Sequence, residues 1–282
     1  MTASTPAAAA RPAQRAVERP CVAMFDVNGT LVLGGEAIPG AAAALTALSR
    51  RLRVCYFSND PRGAEAIGAR LLEAGFPVEP GAVLSAIQVA ASRVGRRYAG
   101  QRVLTIAGAG LREALRAEGV EVVDEPPAAA VIVSGARLFT PEALTVACEA
   151  IWHHGAKLYA SSLDRRVPYG PGRFAPGTGA VAQALAWATG ATPEVLGKPS
   201  PLAVEAALGL LGAPPGAAVV VGDSLGEDVV LGQRLGARTA LVLSGVATRE
   251  HVAALAPDQR PDLVLDSVSN GLVEWIESLC AD

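Results

Sequence analysis

From residue 21 to the end of the chain, short apolar runs rich in β-branched residues alternate with Ala-, Leu-, Glu- and Arg-rich stretches. That alternation is the pattern of an α/β protein, a parallel sheet with helices on its faces. The clearest strands are Cys21–Phe25, Val54–Phe57, Ala218–Val221 and Thr239–Leu243. Each is apolar without alternation, as suits a strand covered on both faces. Helical patterns run over Ala41–Arg51, Ala64–Ala74, Pro201–Leu211 and Asp228–Leu235, with Gly75, Gly212 and Gly236 placed to end three of them. The middle of the chain repeats the alternation, with strands near Val103–Ile106, Val131–Val133 and Leu158–Ala160 and helices near Leu111–Glu118, Pro141–His154 and Gly179–Thr189. It reads as a second α/β domain, because the ordered length exceeds a usual single domain by about a factor of two.

Charge narrows the function classes. With 24 Lys+Arg against 27 Asp+Glu, the net charge of −3 leaves no basic field to hold a nucleic-acid backbone. No apolar run approaches the roughly 20 residues that span a bilayer, so neither nucleic acid nor membrane is an expected partner. Residues 1–20 carry small residues, Pro and scattered Arg without the apolar segment of a secretory signal, and read as a disordered tail. Cys21, Cys55, Cys148 and Cys280 are widely separated and form no C-x-x-C pair, which suggests buried free thiols in a reducing cytoplasm. Trp152, Trp187 and Trp275 read as packing residues.

Four segments carry chemistry. Phe25-Asp26-Val27-Asn28-Gly29-Thr30-Leu31 puts a carboxylate where an apolar strand ends, the place where open α/β sheets bind ligands. Alone, its Asn28-Gly29 is a tight turn. Phe57-Ser58-Asn59-Asp60 puts a hydroxyl and an amide at a second strand end, although alone it is a helix N-cap. Leu196-Gly197-Lys198-Pro199-Ser200-Pro201 holds a scarce lysine before a helix, and Val220-Val221-Gly222-Asp223-Ser224-Leu225-Gly226-Glu227-Asp228 ends a buried strand at Asp223 with Asp228 close behind. Three carboxylates beside strand ends repel one another unless a hard cation lies among them, and an oxygen-only, partly hydrated site suits Mg²⁺. Together the parts make a phosphoryl-transfer site: a carboxylate nucleophile at Asp26, a carboxylate-held Mg²⁺, and a hydroxyl and Lys198 to neutralise phosphate oxygens.

With these segments in this order, the sequence resembles the haloacid dehalogenase superfamily. It is most similar to the class IIA phosphatases, a group that includes nitrophenyl, phosphoglycolate and pyridoxal phosphatases and nucleotide monophosphatases. The subfamily features are Ser58-Asn59-Asp60, Ser161-Ser162-Leu163-Asp164 with Pro168, Pro176-Gly177-Thr178-Gly179, Gly197-Lys198-Pro199-Ser200-Pro201 and Leu241-Val242-Leu243-Ser244-Gly245-Val246. The similarity covers nearly everything after about residue 20. It implies a doubly wound core formed by residues 21–86 and 192–282, with residues 87–191 as a C2-type α/β cap that selects substrate and excludes water. It implies that Asp26 forms an aspartyl-phosphate and ligates Mg²⁺. The backbone carbonyl of Asn28 and the Asp223 side chain complete the protein ligands, with Asp228 supporting directly or through water. Ser58 and the Asn59 backbone N–H are implied to hold phosphate oxygens, and Lys198 to screen charge between Asp26 and the phosphate. Asp164 and Arg165, with Arg166 and Arg173, lie in the segment that resembles the substrate loop. A small phosphorylated metabolite is the implied ligand, and the cap is an implied contact for a homodimer.

The pattern breaks at residue 28, where the family's phosphatases carry a second Asp that protonates the leaving oxygen and then activates water. An amide cannot exchange a proton at neutral pH, so an acid–base contribution of about 10²–10⁴-fold is lost unless another group supplies it. Three expectations follow: a slow phosphatase limited to good leaving groups, a phosphate-ligand binding protein without turnover, or a substitute acid at Asp60, Glu36 or a cap residue. A rival from another class is the G-x-S-x-G segment around Ser224, the elbow of a serine esterase. It lacks a well-separated Asp-then-His pair, since the only downstream His is His251 at the start of what reads as a surface helix. Gly108-Ala109-Gly110 hints at a dinucleotide loop but has Glu113 at the third glycine position, and reads as a turn. His153-His154-Gly155 reads as a helix end.

Overall fold

A computed structural model of the chain describes residues 19–135, 139–170 and 172–281. Residues 1–18 of the expected tail lie outside the described residues. The larger sheet has six parallel strands in the order Leu263–Leu265, Arg238–Val242, Ala218–Gly222, Val22–Phe25, Arg53–Ser58, Val83–Ser85. The chain enters this sheet in the middle, builds outward to one edge, and returns after residue 217 to build outward to the other. Strand order therefore reverses between Val22–Phe25 and Ala218–Gly222, where Phe25 lies opposite Val221. The crevice beyond the carboxyl ends of those two strands is where a doubly wound sheet takes its ligand.

Burial explains why these strands read as unbroken apolar runs. Val22, Ala23, Met24, Phe25 and Ala218–Val221 are all buried, with helices against both faces of the sheet. Leu45 and Leu48 of helix Ala41–Ser49, Ile67 and Leu71 of Ala64–Glu73, Leu211 of Pro201–Leu211 and Ile276 of Leu272–Ala281 join the same core. Each such side chain, fully buried, contributes about 1.5–3 kcal/mol relative to exposure. Helix Pro201–Leu211 starts where Ser200 Oγ accepts the Ala203 N–H at 3.1 Å and Pro201 fills the first turn. Gly75, Gly212 and Gly236 have positive φ at the expected helix ends.

The second sheet is five-stranded and also parallel, in the order Glu194–Val195, Lys157–Ala160, Ala130–Ser134, Arg102–Ala107, Glu121–Val123. Helices Ala86–Tyr98 and Ala109–Ala117 cover one face through Ile87, Val94, Leu111 and Leu115. Helices Pro141–Trp152 and Thr178–Thr189 cover the other through Ala147, Ile151, Val181 and Leu185. Ser85 and Gln88 form a reciprocal capping box at the start of Ala86–Tyr98. Two antiparallel ribbons complete the chain, Val32–Leu33 with Glu36–Ala37 and Arg166–Gly170 with Arg173–Pro176. No helix among the described residues is long and apolar enough to cross a membrane.

The structure corrects several expectations. Trp152 and Trp187 are 68% and 87% exposed, and only Trp275 packs against the main core. The reason is helical phase: Trp152 directly follows buried Ile151 and Trp187 lies two residues after buried Leu185, so each points off the face that meets the sheet. Cys21 is exposed because the strand begins at Val22, whereas Cys55 is buried and Cys148 and Cys280 are half-buried. The helix expected from Asp228 opens as a π-helical turn, Leu225–Val229, and becomes α-helical at Val230. The segment after Ser58 caps no helix, since the next one starts at Ala64 behind Gly63.

Candidate active site

Three neighbouring strand ends set the site. Asp26 follows Val22–Phe25 and its N–H donates to the Val221 carbonyl at 2.8 Å, which carries the strand pairing one residue further. Asp223 follows Ala218–Gly222, and Ser58 closes Arg53–Ser58. Lys198 enters from the loop ahead of Pro201–Leu211, and its buried Nζ donates to Asp26 Oδ1 and Asp228 Oδ1, each at 2.7 Å. Carboxylate oxygens of Asp26, Asp223 and Asp228 lie within 4.8 Å of one another. Asp228 Oδ2 accepts the Ser224 N–H at 3.1 Å, and Asp223 Oδ2 accepts the Val246 N–H at 2.8 Å. Gly29 makes room for this packing: it has φ +89°, and a Cβ there would lie 2.4 Å from Asp223 Oδ2.

Burial and mutual repulsion dominate the electrostatics. Burial, with the Asp228 carboxylate adding to it, pushes Asp26 up to about 7 against the opposing charge of Lys198. Asp223 is raised well above the carboxylate range by burial and then by Asp26 and Asp228. Lys198 is held above its ordinary value although burial opposes this, because Asp228, Asp26 and Glu227 surround it. One lysine against three carboxylates leaves the cluster short of positive charge, and its donors are all hard oxygens. A divalent cation fits both conditions. Asp26, Asp223 and Asp228 are the side chains that would hold it.

On the other flank, Asn28 Nδ2 donates to Asp60 Oδ2 at 2.8 Å. Asp60 also takes Arg62 Nε at 2.7 Å. Burial works to raise the Asp60 pKa, but the bonds and charge of Arg62 and the Asn28 amide outweigh it and hold it low. Ser58 is buried, and its Oγ accepts the Asp60 N–H at 3.2 Å. Glu36, a second of the suggested acids, is exposed and lines a separate pocket of about 280 Å³ behind Asp60. It takes no part in the site.

The site opens into a cleft of about 1800 Å³ whose opposite wall comes from the second sheet and the Arg166–Pro176 ribbon. Asp164, Arg165 and Arg166 line it, with Arg166 set 5.1 Å over the Phe174 ring. Ser162 Oγ donates to Asp164 Oδ2 at 2.9 Å. Facing Asp164 is Glu227, whose pKa is raised well above its ordinary value by burial and then by the Asp164 carboxylate. Sequence reasoning missed Glu227. Its only signal was its place between Gly226 and Asp228 in the fourth segment, and an acidic residue on a short helix ordinarily faces water.

The rival motifs have structural duties. The Ser224 N–H serves Asp228, and His251 Nδ1 accepts the Thr248 N–H at 3.3 Å in a helix-capping pair. Gly108 is the N-cap residue of helix Ala109–Ala117, and His153 is the C-cap of Pro141–Trp152.

A doubly wound sheet with buried carboxylates at its reversal point, and a lysine against two carboxylates of the cluster, makes a ligand site that can take a divalent cation. A family model described as haloacid dehalogenase-like hydrolase matches residues 23–121, and one described as HAD-hydrolase-like matches residues 195–270. Chronophin from Bos taurus is 31% identical over 272 residues, covering 91% of this chain and 92% of the relative. A p-nitrophenyl phosphatase from Archaeoglobus fulgidus superposes with TM-score 0.79 at 31% identity, covering 92% of this chain and 100% of that one. A glycerol phosphate phosphatase from Mycobacterium tuberculosis, solved with calcium, superposes with TM-score 0.76 at 28% identity over 88% of this chain and 74% of that one. The chain belongs to the haloacid dehalogenase superfamily, among its class IIA phosphatases. Phosphatases of this family generally use a divalent metal, in keeping with the cluster of Asp26, Asp223 and Asp228.

Proposed function

We propose that this phosphatase is Mg²⁺-dependent and cleaves a small phosphomonoester through an aspartyl-phosphate on Asp26. The observation that carries the reading is the placement of Asp26: a strand-end carboxylate with one oxygen 2.7 Å from Lys198 Nζ, inside a cleft large enough for a small metabolite. A carboxylate oxygen of Asp26 attacks phosphorus, the ester oxygen departs with the bond electrons, and water then cleaves the acyl phosphate to return Asp26 and inorganic phosphate. Lys198 offsets the negative charge that builds between carboxylate and phosphate, and the Ser58 hydroxyl and Asn59 N–H donate to phosphate oxygens. Asp26, Asp223, Asp228 and the Asn28 carbonyl would hold Mg²⁺, which when bound would supply positive charge against the phosphate oxygens. Arg165 and Asp164, on the facing wall, contact the remainder of the substrate as part of the cap. Four free thiols suit a reducing cytoplasm.

Asn28 sets the rate. Without a proton donor at this position, aryl phosphates, whose leaving oxygens depart unprotonated, are cleaved faster than alkyl phosphates. A second reading has support from one observation, the 2.8 Å bond that brings Asp60 to Asn28 and so sets a carboxylate beside the missing one. Its tie to Arg62 makes it a poor donor to a leaving group, which favours the slow enzyme. The test is phosphate release from matched aryl and alkyl monoesters, with and without Mg²⁺, for the unaltered chain and for D60N. Faster aryl turnover that needs Mg²⁺ and survives in D60N supports the slow enzyme. Equal aryl and alkyl rates that collapse in D60N support the substitute acid, and phosphate binding with no turnover on either ester overturns both.

A further inference from the structure

The Asn59 side chain is already engaged by the lysine loop and by Glu227. Its Oδ1 accepts the Lys198 N–H at 3.0 Å, while Nδ2 donates to the Lys198 carbonyl at 3.3 Å and to Glu227 Oε2 at 3.0 Å. The carboxamide thus grips both main-chain groups of a single residue. The approach is close enough that a Cβ at Gly197 would lie 2.5 Å from Asn59 Oδ1.

Lys198 needs such a grip because its chain segment arrives from the other sheet. Glu194–Val195 pairs with Lys157–Ala160, and that attachment continues through Leu196 N–H to the Ala160 carbonyl at 2.9 Å and Gly197 N–H to the Ser161 carbonyl at 2.8 Å. Its ammonium, however, must land between Asp26 and Asp228, which lie past the carboxyl ends of the six-stranded sheet, Asp26 directly after Val22–Phe25 and Asp228 in the Leu225–Val229 turn that follows Ala218–Gly222. Asn59 directly follows Arg53–Ser58, the strand of that sheet that pairs with Val22–Phe25. We infer that Asn59 and Glu227 are positioning residues that tie the Lys198 backbone to the six-stranded sheet and so fix Nζ against Asp26. Asn59 holds the main chain on both sides of the lysine Cα, and Glu227 holds the carboxamide so that its donor end faces the Lys198 carbonyl. The inference rests on the phosphatase reading for the part Lys198 plays, and it assigns the Asn59 side chain a task separate from the Asn59 N–H.

A double-mutant cycle on the full chain tests this. The four proteins are the unaltered chain, N59A, K198A and N59A/K198A, measured for kcat and KM on an aryl phosphate and for binding of inorganic phosphate by calorimetry. N59A keeps the backbone N–H at residue 59, so a loss reports the carboxamide alone. The expected loss in kcat is about 10- to 100-fold, the scale on which a misplaced catalytic group acts. The double variant is expected to be no worse than K198A, because Asn59 acts only through the lysine. E227A is expected to shift the same quantities in the same direction by less, and E227Q, which retains an accepting oxygen, to lose less than E227A. Independent, additive losses in the double variant, or N59A with unaltered kcat and phosphate affinity, overturn the inference. If N59A fails to fold, E227A against E227A/K198A is the same test with the Asn59–Lys198 pair left in place. Absence of turnover in the unaltered chain speaks against the phosphatase reading alone, since phosphate binding still reads the coupling.

Discussion

The two sheets share an architecture and differ in what they carry. Each is parallel, each has helices on both faces, and each reverses strand order in its interior: between Val22–Phe25 and Ala218–Gly222 in one, between Arg102–Ala107 and Ala130–Ser134 in the other. Both reversal points face the same cleft. In the six-stranded sheet the strands run out into Asp26 and Asp223, buried carboxylates whose pKa values are raised. In the five-stranded sheet they run out into Gly108 and Gly135, small residues that form a wall. The fold offers the same crevice twice, and the residues at the strand ends decide which becomes reactive.

The sharpest way to break this comparison is to neutralise one strand end. D26N is expected to lower phosphate release by about 10⁴-fold or more, since the proposed nucleophile is gone while the fold is retained. N28D works in the opposite direction on the same loop: it restores a proton donor and is expected to raise alkyl phosphate turnover by about 10²–10⁴-fold, with a smaller gain on an aryl ester. Metal binding should belong to the same side. Mg²⁺ added to chelator-treated protein at a hundred times its Kd adds about 2.7 kcal/mol, a rise in Tm of about 5–10 °C for a chain of this size. D223N should abolish that rise, which thermal unfolding would detect. On the other sheet the matching change is small. Ser161 Oγ donates to Ser134 Oγ at 2.9 Å in a buried pair, so S134A is expected to cost about 1 kcal/mol in denaturant unfolding and to leave kcat near that of the unaltered chain.

The same contrast explains what the sequence made legible. Asp26, Ser58 and Asp223 could be read directly because strand ends are local features, each marked by an apolar run that stops at a polar residue. Lys198 could be read because lysine is scarce and this one precedes a capped helix. What could not be read depends on side chains that meet across long stretches of chain. Asn59 reaches Lys198 over 139 residues and Glu227 over 168, and no neighbour of Asn59 in the sequence signals that its carboxamide bonds to the lysine loop. Asn28 meets Asp60 in the same way, through a ribbon and a strand that fold back together. The tryptophans failed for a different reason: apolar character indicates a preference for burial, but the phase of a helix against its sheet decides which positions receive it.

The central claim is that Asp26 takes the phosphoryl group, and Asn28 makes that claim unusually open to test. A missing base slows the hydrolysis of the acyl phosphate more than its formation from an aryl ester, so the intermediate should accumulate. The direct measurement is peptide mass analysis of the protein acid-quenched during steady turnover of an aryl phosphate with Mg²⁺, run beside N28D and with the residue 28 peptide checked for deamidation. The account predicts a phosphoryl group on the peptide bearing Asp26, at higher occupancy in the unaltered chain than in N28D. A phosphoryl group on another residue, or turnover without any phosphorylated peptide in either protein, would contradict it.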